Sequence, residues 1–157
     1  MPELQLELTN DELLSTTRAV RKRLDFDRDV PMSAIKECME SAVQAPSGSN
    51  AQGWQFVFVT DKDKREKIGE YYRRAFSQYR HMPFAIHKLH ADSTDESLAT
   101  SQERSASSAD YLADNMGKAP VLMIPCIAGR IDNAEGANAS AQAGTMGSII
   151  PAAWSFM

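Results

Sequence analysis

A layered domain of the α+β or α/β class is what this sequence predicts, with helices flanking buried strands. Three observations carry the expectation. Helical apolar spacing recurs along the chain, two short runs, WQFVFVT (54–60) and VLMIPCI (121–127), are apolar at nearly every position, and turn-forming residues separate the pieces. The 157 residues, 43% hydrophobic and 24% charged, suffice for one domain with a core, taken as 1–157, and argue against disorder.

The first predicted helix starts at a cap, Asn10, carries Asp11 and Glu12 in its first turn, and runs through LLSTTRAVRKR to a basic end. On such a helix Arg18 and Arg21 share a face, so their guanidinium groups can converge on one anion. A solvated helix end is the plain alternative. The second helix opens at PMS with Ser33 as cap, places Ile35, Cys38, Met39, Ala42 and Val43 on one stripe, and is ended by Pro46. The stretch APSGSNAQGW follows, an ordinary connecting loop or a polar backbone shaped to lie against a flat ligand. Ser47, Gly48, Ser49, Asn50 and Gln52 offer N–H groups, hydroxyls and two carboxamides within six positions, and Gly48 permits close approach.

WQFVFVT reads as a strand covered on both faces. Asp61 then caps a charged helix, KDKREKIGEYYRRAFSQY. From about Ser77 to Arg104 the periodicity dissolves, and the segment is expected to be a mobile lid whose Met82, Phe84, Ile86 and Leu89 meet substrate or a partner subunit. His81, His87 and His90 in it are expected to be exposed loop residues. SADYLADNMGKAP predicts a helix stopped by Gly117, VLMIPCI a second doubly covered strand, and AQAGTMGSIIPAAWSFM a buried helix.

A net charge of −4 argues against a nucleic-acid binder, which needs excess Lys and Arg to meet phosphates. Cys38 and Cys126 are far apart, with no further ligand at metal spacing, and read as small buried residues of a reduced compartment, so no metal site is expected. No apolar run approaches the ~20 residues that span a bilayer, and the acidic start does not resemble a signal peptide, so no membrane association and a cytoplasmic location are expected.

Taken in order, RAVR, VP before a helix, APSGSNAQGWQF entering a strand, YLADNMGKAPVLMI and GSIIPA resemble the FMN-dependent nitroreductase family, from about Thr16 to the chain end apart from 77–104. The resemblance implies an α+β fold with a central, mainly antiparallel sheet flanked by helices. It also implies an intertwined homodimer with FMN at the interface, and hydride transfer from NADH or NADPH through flavin N5 to a nitroaromatic, quinone or similar small acceptor. Its basic stretch falls on Thr17, Arg18, Ala19, Val20 and Arg21, with Arg18 on the phosphate and Arg21 at the pyrimidine edge. Thr17 stands where an arginine is usual and Ala19 where a serine often donates. Pro46, Ser47, Gly48 and Asn50 match the loop on the flavin, Gly53 replaces a proline, and Ser148 and Ile149, within Gly147 to Pro151, match the helix beside the ring. No catalytic side chain is implied.

Alternatives within and outside the resemblance are a dehalogenase branch, which places a lid where 77–104 lies, and a non-catalytic FMN-binding or flavin-storage protein. Because family members continue beyond the helix in which this sequence stops, with further strand structure and a late basic residue for the phosphate, the 157 residues are expected to be the N-terminal portion of a longer chain.

Overall fold

The computed structural model describes residues 7–90, 92–130 and 138–157. Among the described residues, seven α-helices and strands follow one another: α1 (Asn10–Thr16), α2 (Met32–Ala42), β1 (Trp54–Val59), α3 (Lys62–Tyr79), α4 (Glu96–Asn115), β2 (Leu122–Ile127) and α5 (Ala139–Phe156). The strands pair antiparallel, from Trp54 opposite Ile127 to Val59 opposite Leu122. Pro125 is tolerated in β2 because in a two-stranded ribbon each strand has an edge that needs no N–H donor.

Burial is not two-sided as the strand runs predict. In β1, Trp54, Phe56 and Phe58 are half-buried on one side, while Gln55 and Val57 face outward, with Val57 49% exposed. Strand pleating separates the two sets. The covering layer is α5, whose Phe156 ring lies 5.6 Å from that of Phe58.

The buried apolar residues of α2 (Ile35 and Ala42) and of α5 (Ile149 and Ala152) mark the packing of these two helices. Both alanines are fully buried, and short side chains let helix axes approach closely. On the other side of the molecule α3 packs against the turn Met116–Lys118, backbone to backbone. A Cβ on Gly69 would lie 2.9 Å from the Gly117 nitrogen, and one on Gly117 would lie 3.1 Å from the Arg65 carbonyl oxygen. The Arg65 guanidinium staples the joint by donating to the carbonyls of Thr60 and Ala119.

Several expected boundaries are corrected. The cap of α1 is Thr9, which accepts from the Glu12 N–H while the Glu12 carboxylate accepts from Thr9 N–H in return. The helix stops at Thr16, where the backbone leaves helical geometry at Thr17, and the hydroxyls of Thr16 and Thr17 donate to the carbonyls of Glu12 and Leu13 beside it. The N-cap of α2 is Pro31, not Ser33, and the helix ends at Ala42, ahead of Pro46.

The segment 77–104 is not structureless. Asp95 caps α4 by accepting from Ser97 and Leu98 N–H, so 96–104 is helix, and residues 80–90 form consecutive hydrogen-bonded turns. A Ser- and Ala-rich helix with few large apolar residues leaves little periodicity to read. Gly117 is not the stop of α4, whose C-cap is Met116. It lies in the tight turn beyond, where the backbone of Arg65 and Glu66 would crowd a side chain at 3.1 Å. Cys38 and Cys126 are half-buried free thiols. Among the described residues no helix is long and apolar enough to cross a membrane.

Candidate functional site

Between α2 and β1 the chain makes a tight 3-10 turn, Gly48–Asn50, with a left-handed backbone at Ser49 (φ 53°), Asn50 (φ 53°) and Gln52 (φ 49°). Three non-glycine residues in that region within four positions cost conformational energy, so the surroundings must hold them. They are held by closed local bonds. Asn50 N–H donates to the Ser47 carbonyl and Ala51 N–H to the Gly48 carbonyl, both at 3.0 Å, and Gln52 N–H donates to the Ser47 hydroxyl at 3.0 Å. Gly48 itself is not in the left-handed region, and a Cβ there would make an ordinary 3.5 Å contact.

The turn is docked on α5 through one residue. Gly48 N–H donates to the Ser148 hydroxyl at 3.0 Å, that hydroxyl donates to the Gly144 carbonyl at 2.9 Å, and the Trp54 indole N–H donates to the Ser148 carbonyl at 2.8 Å. Ser148 is 6% exposed and Ile149 7%, so the anchor sits in the α2–α5 core. Pro151 supplies no N–H to the Gly147 carbonyl one turn before it. The result is a rigid loop whose exposed Ser49, Asn50 and Gln52 side chains have no hydrogen-bond partner among the described residues.

Structure and sequence part over the basic segment. Arg18, Ala19, Val20 and Arg21 lie beyond the end of α1, so the shared helical face does not exist. Arg18 donates to its neighbour Thr17 carbonyl at 3.1 Å. Arg21, half-buried, lines an open cleft of about 590 Å³ with Tyr72, Phe76, Tyr79 and Ala75 of α3, Ser105 and Ala109 of α4, and Ile86. Lys22 donates to the Ser107 hydroxyl at 2.7 Å. Among the described residues none of Arg18, Arg21, Lys22 or Arg23 forms an ion pair.

Two of the three expected parts therefore meet: the loop of Pro46, Ser47, Gly48 and Asn50, and the Ser148–Ile149 turn of α5. The basic segment belongs instead to the α3–α4 side. Sequence reasoning missed Trp54 as an anchor, and it placed His87 wrongly. His87 is not an exposed loop residue: its ring is packed edge-on against Phe76 at 5.9 Å, and its Nε2 lies 2.9 Å from Asp110. Partners 23 positions apart leave no spacing signal. His81 and His90 are exposed, as expected.

The family model described as Nitroreductase family matches residues 14–157. Over 72 residues the chain is 36% identical to iodotyrosine deiodinase 1 of Rattus norvegicus, a match covering 44% of this chain and 25% of that protein. Over 57 residues it is 40% identical to iodotyrosine deiodinase 1 of Homo sapiens, covering 36% and 19%. A protein of Methanothermobacter thermautotrophicus, provisionally named NADH dehydrogenase/NAD(P)H nitroreductase, is 34% identical over 59 residues, covering 38% and 30%. The matched part thus spans less than a third of the length of each of these relatives.

Proposed function

The chain belongs to the nitroreductase family, and from that premise we propose that it serves an FMN-dependent oxidoreductase that passes hydride from NADH or NADPH to a small acceptor such as a nitroaromatic or a quinone. The observation that carries the proposal is the strained turn 48–52, held by Ser148 with its hydroxyl and carboxamide side chains free. The donor classes fit FMN: neutral donors suit the polar edge of a ring, and the unpaired cations of 18–23 suit a phosphate.

Bound flavin supplies the hydride relay. Around it, the side chains of Ser49 and Asn50 orient the ring edge, and Ser148 and Trp54 keep that loop from relaxing. Arg18 takes the phosphate. Arg21 would bring positive charge to the ring when flavin is bound. The expected contributions of Thr17 and Ala19 are weak, because neither offers the charge or the hydroxyl usual at its position.

A second copy completes the site in this reading. Loop and basic segment occupy different parts of one chain, and α5 presents Met146, Ile150 and Trp154, each 41–59% exposed, at successive turns of one face. Such a stripe suits burial against another protomer.

The test is the spectrum of the purified protein followed by anaerobic NAD(P)H oxidation with a nitroaromatic acceptor. Bound flavin whose NAD(P)H oxidation depends on the acceptor supports the proposal, and a colourless protein that cannot be reconstituted with FMN ends it. The identity to iodotyrosine deiodinases favours dehalogenation as a second reading, checked by iodide release from iodotyrosine. Flavin without turnover of either acceptor identifies a storage protein.

A further inference from the structure

Between α1 and α2 the chain runs from Thr17 to Pro31 without helix or strand, and Arg18 and Arg21 lie in that stretch. Its own ties are local: the Arg18 guanidinium donates to the Thr17 carbonyl at 3.1 Å, Leu24 N–H donates to the Arg21 carbonyl at 3.3 Å, and Asp25 takes the Asp27 N–H at 3.2 Å and the Arg28 guanidinium at 3.5 Å. Contacts of such short reach shape turns, but they do not place the two arginines on the body of the protein.

Two contacts with α4 do place them. Lys22 Nζ donates to the Ser107 hydroxyl at 2.7 Å, and the Phe26 ring stacks on that of Tyr111, with centroids 6.3 Å apart and planes 25° from parallel. Lys22 and Phe26 are four residues apart, and so are Ser107 and Tyr111, which brings the latter pair to one face of α4. The segment is thus laid along α4 at two points, and Arg21, next to the first, enters the cleft to which α4 contributes Ser105 and Ala109. Phe26 and Tyr111 are half-buried, whereas Lys22 and Ser107 are exposed. The ring pair is the stronger tie, because a hydrogen bond between two exposed side chains competes with water.

We propose, resting on the reading that Arg18 takes the flavin phosphate, that Tyr111 is a positioning residue for that cation. Through Phe26 it holds the segment 18–26 against α4 before flavin arrives, with the Lys22–Ser107 bond as the second point of attachment. A cation on an unfastened segment has to be ordered at the moment of binding, and prior fixation removes that cost from the affinity. The effect falls on the phosphate more than on the ring, because the loop 48–52 that meets the ring is anchored separately, by Ser148.

Riboflavin is FMN without the phosphate, so the two ligands separate the segment from the loop. Flavin-fluorescence titration of the full chain gives both dissociation constants for wild type, Tyr111→Ala, Tyr111→Phe, Phe26→Ala and the double alanine variant. Positioning predicts that each alanine variant loses about tenfold in FMN affinity, the effect of one weakened charge-assisted contact, and at most about threefold in riboflavin affinity. Tyr111→Phe, which keeps the ring, should match wild type, and the double variant should lose no more than either single one, since both truncations empty the same contact. If Tyr111→Ala unsettles α4, Phe26→Ala decides alone, because it removes the contact from the side of the segment. Equal losses for FMN and riboflavin, or an unchanged FMN affinity in Phe26→Ala, overturn the proposal. A wild-type protein that binds neither flavin overturns the functional reading and the proposal with it, a result seen before any variant is made.

Discussion

Gly69→Ala is a helix-interior substitution in which two physical effects oppose each other, and the structure decides the winner. In the middle of α3 the change from glycine removes backbone entropy from the unfolded chain and is worth up to about 1 kcal/mol in favour of the variant. Against this, the new Cβ would sit 2.9 Å from the nitrogen and 3.0 Å from the Cα of Gly117. Both are backbone atoms of a turn that Arg65 clasps through the Ala119 carbonyl, so no flexible side chain can swing aside. Restoring ordinary contact near 3.5–4 Å requires α3 and the turn to part by about 0.5–1 Å. Forced overpacking of this kind costs about 1–3 kcal/mol, so after the propensity gain the net change should be a loss of up to about 2 kcal/mol. Gly144→Ala is the reference, because on α5 nothing lies within 4 Å of its Cβ and the helix-propensity gain should appear unopposed. Urea melts followed by circular dichroism give both values, and thermal midpoints should move about 2–4 °C per kcal/mol for a chain of this size. A Gly69→Ala protein stabilised to the same degree as Gly144→Ala would refute the backbone-to-backbone packing of α3 on the turn.

Ser148→Ala should lower stability by about 1–2 kcal/mol, since it strips the acceptor from a partly buried Gly48 N–H. It should also weaken FMN binding in a titration, whereas Ser148→Thr, which keeps the hydroxyl, should do so less. Replacing both Arg18 and Arg21 by alanine should abolish retention of FMN through gel filtration, and unchanged flavin affinity would remove the basic segment from the site. The hydrogen bonds from the Thr9 backbone and then its side chain hold the Glu12 carboxyl below the usual glutamate value. A carboxylate lowered in the folded state stabilises above its unfolded value and loses that contribution as pH falls through the folded one. Protection of the Leu13 amide in α1 should therefore hold at neutral pH and fade in acid below the usual glutamate range; Thr9→Val, which loses the hydroxyl but keeps the backbone donor, should weaken that dependence, and Glu12→Gln should remove it.

Local chemistry alone determined a good deal of this protein. Apolar β-branched and aromatic runs marked β1 and β2 nearly to the residue, and Asp61 with the amphipathic stretch behind it marked α3. The polar density of 47–52, ahead of Trp54, singled out the loop that the structure shows strained and anchored. Each of these signals is carried by neighbours in sequence, which is why it could be read there. Tertiary structure decided the rest. Whether Val57 and Ile124 are covered depends on how many layers pack on the ribbon, and α5 covers one face. The end of α1 lies at Thr17, where the backbone leaves helical geometry, a point that apolar spacing does not mark, and it removed Arg18 and Arg21 from a common helical face. Gly117 looks like a helix stop in sequence, but its reason lies in Arg65 and Glu66, some fifty residues earlier. Likewise, 80–90 reads as loose because its ties run to Gln102 and Asp110, and polar contacts between distant positions leave no period in the chain that makes them.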